Sequence, residues 1–258
     1  NFPKVSVGAT ENAIIASAYA KGKTTLFNCA IEPEVKDLIF FLRKLGCKIS
    51  INKRKIEVIG GFSPLNITYN IMFDRIEAGT YLIASALIGK KISILKVKPK
   101  IIKTEIQILK KMGVKIKNSS DKIIINESPN LKKVNVTTAP YPGFPTDLQA
   151  QIMVLMTKAK GKSKIKENIF ENRFMHVPEL KRMGAKIKIL NNTAIIDGPC
   201  KLSGAEVMAT DLRASVSLVL AGLIAENRTI INRTYHLDRG YENLEKKLRK
   251  CQATIRRI

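Results

Sequence analysis

Tryptophan is absent from this sequence, and aromatic residues make up only 6% of it. Single-stranded nucleic acids are gripped by stacking bases on aromatic faces, so such platforms are scarce here. Cysteine is sparse and scattered: Cys29, Cys47, Cys200 and Cys251 form no C-x-x-C pair and no metal-ligand spacing. That pattern argues against a disulfide framework and fits small, buried, reduced thiols in a cytoplasmic protein. No apolar run approaches the length that spans a bilayer, so no membrane partner is expected. The opening Asn1-Phe2-Pro3-Lys4 carries no initiator Met and no basic stretch leading into a long apolar one, and a true N-terminus elsewhere is expected.

Acidic residues are also few, 21 Asp and Glu against 45 Lys and Arg, for a formal net charge of +24. A general lysine bias accounts for this best, since Ile and Asn are abundant too, as an AT-rich coding sequence would produce. Attraction of anionic substrates is a second reading, and a dedicated nucleic-acid surface a third. With 258 residues, 45% of them hydrophobic, the chain can bury one large core or two modest ones.

What is present in quantity is repetition. Phe41-Leu42-Arg43-Lys44-Leu45-Gly46-Cys47-Lys48-Ile49 returns as Ile108 to Ile116, Glu179 to Ile187 and Lys247 to Ile255, a period of about 70 residues. In the first three copies apolar positions lead into Leu-x-x-x-Gly, whose glycine supplies a left-handed helix cap, and in the fourth Gln252 stands at that place. Strand-like alternation follows, and in the first three copies it turns through Asn-rich segments and comes back: at Asn52-Lys53, at 118–121 and at Asn191-Asn192. Upstream of each copy lies an Ala-rich apolar helix, at 13–20, 81–88, 150–156 and 214–225. Small residues allow close packing, so these four are expected to be buried inner helices with the Leu-x-x-x-Gly helices outside. The fourth copy ends after one expected strand, and N-terminal sequence beyond this chain is expected to supply the missing partner.

The inner helices begin with polar signatures: Ser6-Val7-Gly8, Asp74-Arg75, Thr146-Asp147 and Thr210-Asp211. Asp74 with Glu77, and Thr146 with Gln149, have capping-box spacing. Asp74 can alternatively pair with Arg75. Thr146 and Thr210 can serve as caps, which would leave Asp147 and Asp211 free. Carboxylates and free N–H groups meeting in one cleft would suit an anionic substrate and a general base. Arg173, Arg213 and Arg239 sit at loop-to-helix junctions, where a guanidinium can grip carboxylate or phosphate. His176 alone reads as structural.

Five strings carry a resemblance: 6–12 (Ser-Val-Gly-Ala-Thr-Glu-Asn), 144–151 (Phe-Pro-Thr-Asp-Leu-Gln-Ala-Gln), 170–176 (Phe-Glu-Asn-Arg-Phe-Met-His), 209–214 (Ala-Thr-Asp-Leu-Arg-Ala) and 238–242 (Asp-Arg-Gly-Tyr-Glu). In this order they resemble the enolpyruvyl transferases, and within them the UDP-N-acetylglucosamine 1-carboxyvinyltransferases, across essentially the whole chain. The resemblance implies an inside-out α/β barrel-like fold built from repeated units of about 70 residues, with four of the family's six copies present. It implies that residues 1–70 are the C-terminal part of a split second domain and 71–258 most of the first domain, without its closing N-terminal strand.

For the site, the resemblance implies that Lys4, Val5, Ser6, Val7 and Gly8 form a uridine-diphosphate loop. Asp147 would contact and deprotonate the sugar 3-hydroxyl. Ile169 would meet the nucleotide through its backbone, and Asp211 would serve proton traffic. Arg239 would bind phosphoenolpyruvate, with Arg173 and Arg213 supporting the charged cleft. Phosphoenolpyruvate and UDP-N-acetylglucosamine are the implied partners, and no cofactor or metal is implied. The family's mobile-loop cysteine with its nearby Arg, and an early Lys-Asn pair, have no counterpart here. The N-terminal part of the enzyme is therefore expected to be required. Ile31 stands where Arg is frequent, Tyr141 where His is, and Gln252 replaces the fourth capping glycine.

Overall fold

The computed structural model describes residues 1–258, which form two compact units. One comprises Asn1–Phe73 with Pro140–Pro142, the other Asp74–Ala139 with Gly143–Ile258.

The first unit is one copy of the repeat. Helix α1 (Val7–Tyr19) leads to strand β1 (Gly22–Leu26), helix α2 (Pro33–Lys44) and the hairpin β2 (Lys48–Asn52) and β3 (Lys55–Gly60). The sheet order is β1-β3-β2, antiparallel throughout. Gly46 takes the left-handed conformation (φ 110°) after α2, as the Leu-x-x-x-Gly pattern requires. Tyr141 belongs to this unit: its N–H donates to a Glu32 carboxylate oxygen (3.0 Å) and its carbonyl accepts from Arg54 (3.1 Å). Contrary to expectation, α1 is not buried all round. Thr10, Ile14, Ser17 and Ala18 are buried, but Ile15 and Tyr19 are exposed.

The second unit repeats the plan three times. The first copy is α3 (Arg75–Ile88), β4 (Ile92–Leu95), α4 (Lys103–Lys111), β5 (Lys115–Asn118) and β6 (Lys122–Asn126). After β7 (Asn135–Thr137) and a 3-10 turn (Thr146–Leu148) come α5 (Gln149–Lys158), β8 (Gly161–Lys166), α6 (Val177–Arg182), β9 (Ile187–Leu190) and β10 (Thr193–Gly198). The last copy is β11 (Glu206–Met208), α7 (Leu212–Gly222), β12 (Ile230–Asn232), a 3-10 helix (Thr234–Arg239) and α8 (Leu244–Lys250). The two complete copies share the sheet order, β4-β6-β5 and β8-β10-β9. Strands β7 and β11 run parallel to β8 and β12, the strands that follow the inner helices α5 and α7.

Helices α3, α5 and α7 pack side by side and are buried on nearly every face. Ala, Ser and Gly in α3 and α7 permit this, because small side chains let helix backbones approach, whereas α5, expected to be Ala-rich, fills its place with larger residues such as Ile152, Met153 and Leu155. At Gly79 the approach is complete: a Cβ there would strike the Leu148 side chain, which is fully buried. The outer helices are amphipathic instead. Helix α4 buries Ile106 and Leu109, α6 Val177 and Leu180, and α8 Leu244 and Leu248.

The fourth copy departs from expectation. No strand follows α8, because no strand lies alongside to complete a ladder. Ala253 and Ile255 instead pack against Val216, Leu237, Tyr241, Leu244 and Leu248. Gln252 occupies the left-handed capping position (φ 65°) that glycine fills in the other copies.

Candidate functional site

The polar N-terminal ends of α5 and α7 gather Asp147, Arg173 and Arg213 in the second unit. Asp147 follows a rigid Pro-rich approach closed by a backbone hydrogen bond from Ala139 to Phe144 (3.0 Å). It lies in the 3-10 turn ahead of α5, so its carboxylate is not consumed in capping. Arg173 Nη2 donates to Asp147 Oδ1 at 2.7 Å, and Arg213 Nε approaches the same oxygen at 3.2 Å. The Asp147 side chain keeps 37% of its surface open, while Arg173 and Arg213 keep 21% and 18%. The result is an accessible carboxylate flanked by two half-sunken cations. It can accept a proton while the guanidinium groups hold negative charge close by.

Arg213 is held from behind by a network that sequence reasoning missed. Its Nη1 reaches the Tyr241 hydroxyl at 3.5 Å, and that hydroxyl lies 2.9 Å from Thr80 Oγ1. Gln151 Nε2 donates to Thr80 (3.2 Å), to Tyr241 (3.4 Å) and back to the Asp147 carbonyl (2.9 Å). Thr80 donates to the Ile76 carbonyl, so the Tyr241 proton points to Thr80 and its oxygen receives Arg213. Burial works against the Arg213 charge, but Asp147 and Tyr241 more than offset it and raise the guanidinium above its ordinary value. Burial likewise pushes the Tyr241 phenol up, against the pull of Arg213 and the hydrogen bonds. The available signal was the spacing of Gln151 four residues after Asp147, one helical turn.

Several expectations are corrected. Asp211, not Thr210, caps α7: its Oδ1 accepts from the N–H of Arg213 (2.7 Å) and Ala214 (2.9 Å). The extended backbone at 211 places this carboxylate over the first-turn donors, so Asp211 is not free, although only one of its oxygens is engaged. Thr146 forms no capping box with Gln149; its hydroxyl donates to Glu167 Oε2 at 2.9 Å. Asp74 does cap α3, accepting from Ile76 and Glu77, but Arg75 is buried and faces Glu105 at 3.9 Å rather than pairing with Asp74. The Glu77 carboxylate binds Lys247 (2.7 Å), so that capping box is half made.

Ile169 is accessible, and its N–H is committed to Glu167 Oε1 at 2.7 Å. Arg239 is exposed at the end of the 3-10 helix, on a different element from the Asp147 cluster. His176 is buried, and burial lowers its imidazole to about 4, Asp211 partly offsetting this and Arg173 adding to it. In the first unit, Ser6 caps α1 by accepting from Ala9 (3.3 Å), with Lys4, Ser6 and Gly8 exposed and Val5 and Val7 half-buried. The first-turn N–H groups of Val7 and Gly8 have no carbonyl in the helix to bond, and a Cβ on Gly8 would meet open space.

Comparison with known proteins places this architecture. The chain is 60% identical, over its whole length, to UDP-N-acetylglucosamine 1-carboxyvinyltransferase of Pelagibacter ubique (strain HTCC1062), and covers 62% of that protein. It is 50% identical to the protein of that name from Rickettsia bellii (strain OSU 85-389), again covering 62% of it. The chain thus spans about three-fifths of the length of the curated relatives it matches. Among solved structures, the enolpyruvyl transferase NikO from Streptomyces tendae superposes with a TM-score of 0.86 at 30% identity, over 96% of this chain and 60% of that one. EPSP synthase from Acinetobacter baumannii shares the fold, with a TM-score of 0.74 at 20% identity. The model of the EPSP synthase (3-phosphoshikimate 1-carboxyvinyltransferase) family matches residues 1–248, and the chain belongs to that family.

Proposed function

We propose that this chain forms the larger part of an enzyme that transfers the enolpyruvyl group of phosphoenolpyruvate to the 3-hydroxyl of UDP-N-acetylglucosamine and releases phosphate. The observation that carries this reading is the accessible Asp147 carboxylate held between Arg173 and Arg213, in a chain whose relatives bear that activity in their names. In the family's terms, residues 1–70 are the end of the split second domain and 71–258 most of the first.

The chemistry needs a proton at the methylene carbon of phosphoenolpyruvate, which makes its C2 electrophilic. The sugar hydroxyl attacks C2 while Asp147 takes the hydroxyl proton. The tetrahedral ketal then loses phosphate and a methyl proton, restoring the enol ether. Asp211 serves proton traffic through the carboxylate oxygen that α7 does not engage. Arg239, with Arg173 and Arg213, opposes the charge of the carboxylate and phosphate. A positioned base contributes about 10²- to 10⁴-fold in rate, and electrostatic clamps add to it. The exposed start of α1, with Lys4 to Gly8, receives the diphosphate, since helix N-termini favour anions. This reading makes the protein a cytoplasmic enzyme of the first committed step of peptidoglycan synthesis. The structure has no helix long and apolar enough to cross a membrane.

The chain's coverage of its relatives supports a second reading, in which it is an inactive remnant or a fragment that binds sugar nucleotide only together with the N-terminal part of the enzyme. Calorimetric titration with UDP-N-acetylglucosamine, alongside phosphate release from added phosphoenolpyruvate, separates the two. Saturable binding to the chain alone, lost in Asp147→Ala, favours the first; binding only once the N-terminal part is added, or no binding at all, favours the second. Salt-sensitive binding to duplex DNA without sugar-nucleotide binding would overturn both.

A further inference from the structure

Glu167 is a buried carboxylate to which none of the proposed chemistry assigns a role. Four donors converge on it. Thr138 Oγ1 (2.8 Å), the Ile169 N–H (2.7 Å) and the Phe170 N–H (3.1 Å) all donate to Oε1, and Thr146 Oγ1 (2.9 Å) donates to Oε2. Thr138 in turn accepts from the Asn168 N–H at 2.9 Å. Such charge-assisted bonds are the strong ones, and a buried carboxylate this well satisfied resists movement.

The contacts close into a circuit. Glu167 holds the Phe170 amide, the Phe170 ring lies under the Arg173 guanidinium (4.9 Å), Arg173 binds Asp147 (2.7 Å), and Thr146 beside Asp147 returns to Glu167. One side chain thereby ties the turn before α5 to the turn after β8. We propose that Glu167 is a positioning residue: it fixes the Arg173–Asp147 pair and the Ile169 backbone relative to each other, so that the acceptor hydroxyl and the nucleotide of one sugar-nucleotide ligand are gripped at a set separation. The part concerning that ligand rests on the functional reading above.

The donor pattern predicts which substitutions are tolerated. Oε1 takes three donors and must remain an oxygen. Oε2 faces one hydroxyl, which can rotate and accept instead. Glu167→Gln therefore keeps the brace, with its amide oxygen toward Ile169 and Phe170, whereas Glu167→Met removes it at similar volume. Thr146→Val cuts the link to Asp147 alone, and Thr146→Ser restores it.

Two measurements on the 258-residue chain test this. In the unliganded protein, amide exchange by NMR should show Ile169 and Phe170 protected in the wild type and in Glu167→Gln, and unprotected in Glu167→Met. Unprotected amides in the folded wild type would overturn the brace whatever the protein binds. With UDP-N-acetylglucosamine, Glu167→Met and Thr146→Val should weaken binding by about tenfold or more, the scale of a lost charged hydrogen bond, while the Gln and Ser variants stay within about threefold. Normal affinity in folded Glu167→Met and Thr146→Val overturns the positioning role. If the wild type shows protected amides but binds no sugar nucleotide even with the N-terminal part of the enzyme supplied, the functional reading fails and the brace stands.

Discussion

Tyr241 and Thr80 lie 161 positions apart in the chain, yet their hydroxyl oxygens stand 2.9 Å from each other in the interior of the second unit. Through Gln151 and Arg213 this pair forms the floor beneath Asp147. Removing the hydroxyl in Tyr241→Phe leaves the Gln151 and Arg213 donors short of an acceptor, at a cost of about 1–3 kcal/mol. Urea denaturation should show this loss, and a cycle with Thr80→Val should give a coupling of about 0.5–3 kcal/mol. Additive effects would mean that the two hydroxyls act independently.

His176 makes stability depend on pH. Its imidazole titrates near 4 in the folded chain, below the ordinary 6.5, because burial disfavours the cation. With the folded value depressed, the unfolded chain binds the extra proton between pH 6.5 and about 4. Stability is therefore complete above the upper limit and declines as pH falls through that window, by roughly 3 kcal/mol in all. Denaturation midpoints measured across it in wild type and His176→Phe should differ in slope, the variant being flatter. Equal slopes would contradict the depressed imidazole.

Gly79 has no space for a side chain against Leu148, the neighbour of Asp147. Gly79→Ala should destabilise the chain by about 1–3 kcal/mol through overpacking, despite alanine's better helix propensity. Combining it with Leu148→Ala should cost less than the sum of the two single changes. Thermal unfolding of the three variants tests this, and strict additivity would show that the contact is relieved elsewhere.

Gln252 holds a left-handed backbone that disfavours side chains. Gln252→Gly should stabilise the chain by about 0.5–1 kcal/mol, although it gives up the exposed Lys90 contact at 3.0 Å. An unchanged or lowered melting temperature would argue that the lysine contact outweighs the strain.

Much of this arrangement could be read from local pattern. The capping glycines at 46, 113 and 184, the outer helices and the three hairpins each depend on neighbours in sequence, and each is found. Helix starts that repeat with the period of the fold suggested that Asp147 and Asp211 would share a cleft with arginines; the contacts found join Asp147 to Arg173 and Arg213. The choice of Asp211 over Thr210 as cap was not readable, because both residue types cap well and only the backbone path decides between them. The same holds for α1, whose composition matches the other inner helices although only one of its faces is covered within its unit.

The sequence by itself determined the repeat, its helices and hairpins, and the residue types available at each helix start, because capping, turn chemistry and apolar periodicity act over a few residues. Tertiary structure alone decided that Glu167 would collect four donors, that Tyr241 would meet Thr80, and that Asp147 rather than Asp211 would keep its carboxylate clear of the backbone. Those outcomes depend on where distant segments come together, and a buried polar group takes whichever partners the packing brings within reach.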